Sequence, residues 1–472
     1  MIAIDEGWNA VHAYDQWGKN PFPLHSTLIS QIFPLYYILL AFSFLFFDIS
    51  LFTVRSIAIL IGLVGFNGFF FLLSRFISSK RLLSIGMILF LFHNVFIVTF
   101  RWGRLEFLVT TLMIWSVYFL VKAIQSKHYY HLFFTGLLVG LMVFTHPFAT
   151  AFVLSILLVL WRFPINTRKS YLYFVGGGGI VLFLMVLKGF TWDLIFIQNH
   201  FFSIMFERTS FHKATPSLFY QFYDFFRAYC LGLKRVYILF FEIGIIIFSF
   251  FRYRKDPLLS NLSLISFFTF IQFLLILHPF RARYMGIVIV ISILLAVVGL
   301  LKEKVLLKKF LFVFVFLYFS NNLMGDLYFL YIHKNNTPYS IITKELTTEI
   351  PLGSKIVAPV QFWLALHEYY TITEIHDAIS INQQKPSLSV YLNNSDYFIY
   401  SPYFLVNISP TSGTIPVRVD LSQDHFNLGL KKATQNPQWT LHKTIDAIPY
   451  DKIFIYKRVV PISDPRSSKG AK

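Results

Sequence analysis

The sequence predicts a membrane all-α bundle of about ten transmembrane helices with a juxtamembrane helix, followed by a small α/β domain on the outer face. Three observations carry that prediction. The 472 residues are 56% hydrophobic and 14% charged, with mean hydropathy +0.61, whereas soluble proteins average about 45–50% apolar and about 25% charged. Apolar segments long enough to cross a bilayer recur from residue 51 to 325. After about residue 326 the pattern changes to short apolar runs divided by Asn, Pro, Ser and Gly.

The expected spans are 51–73, 82–99, 105–123, 131–146, 147–162, 171–187, 235–251, 260–277, 284–301 and 308–325. The stretch 31–47 is also long enough, but it contains Pro34 and ends at Asp48. Hydropathy leaves open whether it crosses or lies along the interface. The tail 326–472 reads as strands at KIVAPV (355–360), YFIYSPYF (397–404) and KIFIYKR (452–458), separated by turns. The domain reading is therefore 1–50, 51–325 and 326–472.

Sidedness comes from the loops. Arg75/Lys80/Arg81, Lys122/Lys127, Arg162/Arg168/Lys169, Arg252/Arg254/Lys255 and Lys302/Lys304/Lys308/Lys309 fall on one side, which the positive-inside rule makes cytoplasmic. The same rule accounts for the net charge of +18 without nucleic acid. The expected location is a bacterial inner or plasma membrane, with the C-terminal domain outside. Cys230, the single cysteine, excludes an intrachain disulfide and a Cys-rich metal site. The N-terminus, with Asp5, Glu6, His12 and Asp15, does not read as a signal peptide.

The outer side collects the chemistry-bearing residues: Asp5, Glu6, Lys19, His25, Arg101, Arg104, Glu106, His146, Arg281 and Arg283. Charges near membrane depth are costly and tend to be paired around a cavity. A carboxylate can serve as general base on a hydroxyl, and the guanidinium fork fits phosphoryl oxygens. Bland readings compete with each. Arg101 and Arg104 can snorkel to the interface, Glu106 suits a first helical turn, and His146-Pro147 can simply end a helix. Gly176–Gly179 lies in an apolar span with no following Lys-Ser/Thr, so close helix packing explains it better than a phosphate loop. No metal-ligand spacing stands out, and whether a divalent cation assists stays open.

The order of these parts resembles a known family. Asp5-Glu6 comes first, then Pro34-Leu35-Tyr36-Tyr37, a span opening FTVRSIAIL, the Arg101-x-x-Arg104-x-Glu106 signature, GLLVGLMVFTHP (136–147) and Arg283-Tyr284. This resembles the integral-membrane glycosyltransferases of the GT-C class, particularly the protein-mannosyltransferase and aminoarabinose-transferase-like family, over residues 3–325.

The resemblance implies transfer of a sugar from a polyprenyl-phosphate donor to a lipid, glycan or protein acceptor on the extracytoplasmic side. It makes Asp5 the catalytic base and Glu106 the second-loop acid, with their carboxylates in one cavity. Glu6, Lys19, Arg101, Arg104, His146, Arg281 and Arg283 become substrate-binding residues. It also makes 31–47 a juxtamembrane helix. Two departures stand out. Relatives have a spanning helix before the Asp-Glu pair, where only Met1–Ile4 stand here, so the expectation is either a chain truncated or misassigned at its start or a member that has lost that helix. Several relatives have Asp where this chain has Glu106. The competing readings are a transporter or flippase, and a catalytically silent relative.

Overall fold

The computed structural model describes residues 10–11, 13, 35–101, 104–162, 167–190, 233–276, 282–359, 362–374, 392, 394–401, 438–448 and 451–459. The chain divides into two compact units. One comprises 27–46 and 52–331; the other comprises 1–26, 47–51 and 332–472.

In the first unit α1 (Leu35–Ser43) is followed by α2 (Leu51–Ser74), α3 (Lys80–Leu91), α4 (Asn94–Arg101), α5 (Leu105–Ser126) and α6 (Tyr130–Thr145). Then come α7 (Thr150–Arg162), α8 (Thr167–Phe190), α9 (Leu233–Arg252), α10 (Pro257–Ile276), α11 (Gly286–Lys302) and α12 (Val305–His333). Among the described residues, α2, α5, α10 and α12 contain stretches long and apolar enough to cross a membrane alone, and α6, α7 and α11 are shorter apolar helices.

Among the described residues the expected segments fall on helices, with differences of detail. The 82–99 segment is not one span: it breaks between α3 and α4 at Phe92-His93. Within 31–47 the described residues form a helix over Leu35–Ser43, and residues 31–34 lie outside the described ones. α12 continues past residue 325 to His333, because nothing before Asn335, Asn336 and Pro338 interrupts it.

Position in the bundle follows from how apolar each surface is. In α11 every residue from Gly286 to Leu300 is buried, so it has no polar face to turn outward and becomes the central helix. It packs against α3, α5, α9 and α10. α12 instead exposes Val305, Leu306, Phe310, Phe312, Val313, Phe314 and Phe316, a patch too apolar for water and suited to lipid. α6 and α8 approach closely through glycine. A methyl group at Gly136 would run into the Phe174 carbonyl, and one at Gly177 into the Phe133 carbonyl, whereas Gly176 and Gly179 face open space. The Gly176–Gly179 run is thus a packing surface.

The second unit holds α13 (Tyr339–Glu349), β1 (Lys355–Ala358), α14 (Trp363–Leu366), β2 (Thr371–Glu374), β3 (Tyr397–Tyr400), β4 (Trp439–Ala447) and β5 (Asp451–Arg458). The sheet order is β2-β1-β3-β5-β4. β1 lies parallel to β2 and β3, while β5 is antiparallel to β3 and β4. Ile342, Leu346, Ile356, Val357, Phe398, Ile399, Ile453 and Ile455 form its core. The runs read as strands at 355–360, 397–404 and 452–458 become β1, β3 and β5.

Candidate functional site

The site is built at the start of α5. Arg104 occupies the N-cap with extended backbone (φ −91°, ψ 146°), and Glu106 lies in the first turn, where the helix dipole favours an acid. Both side chains are nonetheless buried: Arg104 is 8% exposed and Glu106 4%. Their nearest nitrogen and oxygen are 3.9 Å apart. That is an ion pair too long for a hydrogen bond between the two groups. Two opposite charges removed from solvent without a short mutual bond form a different arrangement from a surface salt bridge.

Neighbouring elements converge on this turn. Thr110 donates its hydroxyl hydrogen to the Glu106 carbonyl at 3.1 Å. A side chain at Gly286 would strike that hydroxyl, so the start of α11 sits directly against the second turn of α5. This close approach brings in the 3₁₀ turn Ala282–Met285, which carries Arg283 and Tyr284. α4 packs against both α5 and this turn, and it ends at Arg101. On the other flank, Tyr36 of α1 is fully buried and meets Phe107 edge-on at 6.1 Å.

His146 caps α6 in extended conformation. Its Nδ1 accepts the Phe148 N–H at 3.3 Å, ordering the turn at Pro147–Ala149. Its ring lies 4.5 Å from Phe148 and 5.8 Å from Tyr284, and these two rings are 4.7 Å apart. His146 therefore does the work of a helix terminator, and it also joins the 282–285 turn to the end of α6.

The structure thus brings together Arg104, Glu106, His146 and the backbone segments bearing Arg101 and Arg283. The side chains of Arg101 and Arg283 lie outside the described residues, as do Asp5, Glu6, Lys19 and Arg281. One polar group escaped the sequence reading: His93, Glu242 and Tyr318, joined within the apolar interior by bonds from His93 and Tyr318 to Glu242. The available signal was an isolated Glu242 inside LKRVYILFFEIGIIIFSFFR and a His93-Asn94 pair inside the expected 82–99 span.

No family model matches the chain, and no curated protein sequence matches it either. Solved structures do. The crystal structure of ArnT from Cupriavidus metallidurans in the apo state aligns with TM-score 0.57 at 12% identity, covering 97% of this chain and 94% of that one. The chain has the ArnT fold. The structure of the same ArnT bound to undecaprenyl phosphate aligns with TM-score 0.56 at 11% identity, over 98% of this chain and 95% of its own. ArnT, aminoarabinose transferase, has the GT-C fold, so the resemblance drawn from motif order and the resemblance drawn from three dimensions agree. Since the ArnT match extends across both units, the bundle and the sheet unit are each part of it.

Proposed function

We propose that this protein is an integral-membrane glycosyltransferase that moves a sugar from a polyprenyl-phosphate-linked donor to an acceptor on the extracytoplasmic side of the membrane. The observation that carries the reading is the fold match over nearly the whole chain to ArnT, including the form bound to undecaprenyl phosphate. The buried Arg104–Glu106 pair at the start of α5 supports it. A guanidinium at this position has the planar fork that fits phosphoryl oxygens.

In this reading Asp5 takes the proton from the acceptor hydroxyl, whose oxygen attacks the anomeric carbon. The bond from that carbon to the phosphate oxygen breaks as the new one forms, the polyprenyl phosphate leaves, and the anomeric centre inverts. Arg101, Arg104, Arg281, Arg283 and Lys19 offset the charge that grows on the departing phosphate. Glu106, the second-loop acid, is the second catalytic carboxylate, with Glu6 and His146 completing the substrate-binding set. The acceptor is a lipid, a glycan or a protein.

The test is sugar transfer in proteoliposomes carrying the full chain and a radiolabelled undecaprenyl-phosphoryl sugar. Transfer that requires the intact chain, with release of undecaprenyl phosphate, supports the proposal. Label that stays on the carrier with every acceptor class, although undecaprenyl phosphate binds, would favour the silent relative. A cysteine placed near residue 12 in a Cys230→Ser background, if reached only by cytoplasmic reagents, would remove the mechanism.

A further inference from the structure

A buried polar seam crosses the bundle where the sequence predicted an unbroken span. α3 stops at Leu91 and α4 starts at Asn94. His93, 1% exposed, sits in the break. Its Nδ1 accepts the Val95 N–H at 3.2 Å, so the ring proton is on Nε2, which donates to Glu242 Oε1 at 3.2 Å. The Tyr318 hydroxyl donates to the same oxygen at 2.9 Å. The Asn94 N–H donates to Asn322 Oδ1 and its amide to Asp326 Oδ1, both at 3.1 Å. Tyr318, Asn322 and Asp326 are spaced four residues apart and so share one face of α12.

The seam lies deep. Glu242 is about 15 Å along α9 from Arg252, and Tyr318 is about 20 Å along α12 from Val305, at 1.5 Å per residue. Both values fall near the middle of a core about 30 Å thick. Ionisable groups there are costly, and apolar side chains of similar volume would pack with less expense. What the seam provides is an independent N-terminus for α4. The first N–H groups of α4 are taken by Asn322 and by the His93 ring, and the positive end of its dipole faces Glu242 and Asp326.

α4 has only eight residues, about 12 Å of helix. It packs on α5 and on the 282–285 turn, and Arg104 is the third residue after its end. Anchored at one end, such a rod transmits small rotations. A tilt of about 10° at the seam displaces the far end by about 2 Å, and misplacement of about 1 Å can cost about 100-fold in rate.

We propose that Glu242 is a positioning residue: through His93 it fixes the direction of α4, and through α4 it places Arg101 and Arg104 for the phosphate of a polyprenyl phosphate. This rests on the phosphate-binding role assigned above. Discontinuous helices at membrane depth are tolerated where protein buries the freed backbone groups, and they often serve a nearby ligand site.

The experiment uses the full chain in lipid nanodiscs with undecaprenyl phosphate as probe. Binding affinity, thermal midpoint and the spin-label distance from Ile97→Cys to Ile124→Cys are measured in a Cys230→Ser background. Glu242→Leu should weaken binding about tenfold or more and shift the distance. Glu242→Gln keeps an oxygen for both donors and should bind within about twofold of the parent. Asn322→Ala removes the other anchor of α4 and should also weaken binding, which keeps the test decisive if Glu242→Leu does not fold. A lowered midpoint with unchanged affinity and distance would reduce the seam to a structural role and overturn the proposal. Arg104→Ala separates the two layers. Unchanged binding in that variant overturns the phosphate-binding role, whereas weakened binding there, together with a shifted distance and weakened binding in Glu242→Leu, supports both layers.

Discussion

Glu106 and Glu303 are almost equally buried, at 4% and 5% exposure, yet their neighbouring arginines Arg104 and Arg252 stand at different distances. Gly286, at the start of α11, meets the second turn of α5 beside Glu106, while Glu303 caps the far end of the same helix. At that far end Arg252 donates to Glu303 through Nε at 2.9 Å and through a terminal nitrogen at 3.1 Å, and the Tyr253 hydroxyl adds a bond at 2.8 Å. Lys302 and Asp256 pair alongside at 2.7 Å. Burial works to raise the Glu303 carboxyl, but these bonds and the Arg252 charge outweigh it and hold it below its ordinary value. Glu106 Oε1 stands 3.9 Å from Arg104 Nη1. Equal burial therefore conceals two geometries: a short-bonded clasp that ties the α9–α10 turn to the α11–α12 turn, and a longer Arg104–Glu106 ion pair at the start of α5.

The largest predicted effect is on chemistry. Glu106→Gln should lower sugar transfer by about 100-fold or more while leaving the thermal midpoint near that of the parent. Comparable activity in that variant would make the two ends alike and remove the distinction. Next is Gly286→Ala, whose methyl group must displace the Thr110 hydroxyl. It should cost about 1–3 kcal/mol of stability and lower transfer as the first turn of α5 shifts. Adding Thr110→Ala should recover most of both losses. An additive double mutant would show that the close approach does not set the site.

Glu303→Gln should do the reverse of Glu106→Gln, lowering the midpoint by a few degrees with transfer retained at low temperature. Loss of transfer at unchanged midpoint would contradict the clasp. The smallest effect belongs to the sheet unit. There burial, first of all, holds His367 below its ordinary value of 6.5, and its ring is stacked on Trp363 at 4.3 Å. The unfolded chain binds this proton more readily than the folded one, so stability falls as pH drops below about 6.5. Hydrogen exchange at β1 and α14 in the full chain should speed up with acid, and His367→Leu should flatten that dependence without touching the bundle.

What could be read from the sequence was whatever depends on local composition. Segments as apolar as 284–301 can only be buried helix, and α11 is buried along nearly its whole length. Alternation at 452–458 gave a strand because its apolar side faces one core. β4 was missed because Trp439–Ala447 presents mostly polar, exposed residues and is stabilised by pairing with β5 rather than by its own burial. The α3–α4 break was missed for a related reason. A hydropathy average spreads His93 and Asn94 over a long apolar window, while their partners Glu242, Asn322 and Asp326 lie on helices far along the chain. Arg104 and Glu106 were legible because two charges beside an apolar run need a reason. Their 3.9 Å separation, longer than the bonds of the Glu303 clasp, could come only from the fold.

The central claim is that an acid-containing site on this fold transfers sugar from a polyprenyl carrier. The most direct measurement is the single-turnover rate of label transfer from undecaprenyl-phosphoryl sugar in proteoliposomes, comparing the parent chain with Asp5→Asn at saturating donor. The account predicts undiminished donor binding and a rate lowered by about 100-fold or more in Asp5→Asn. Equal rates in the two proteins would contradict it.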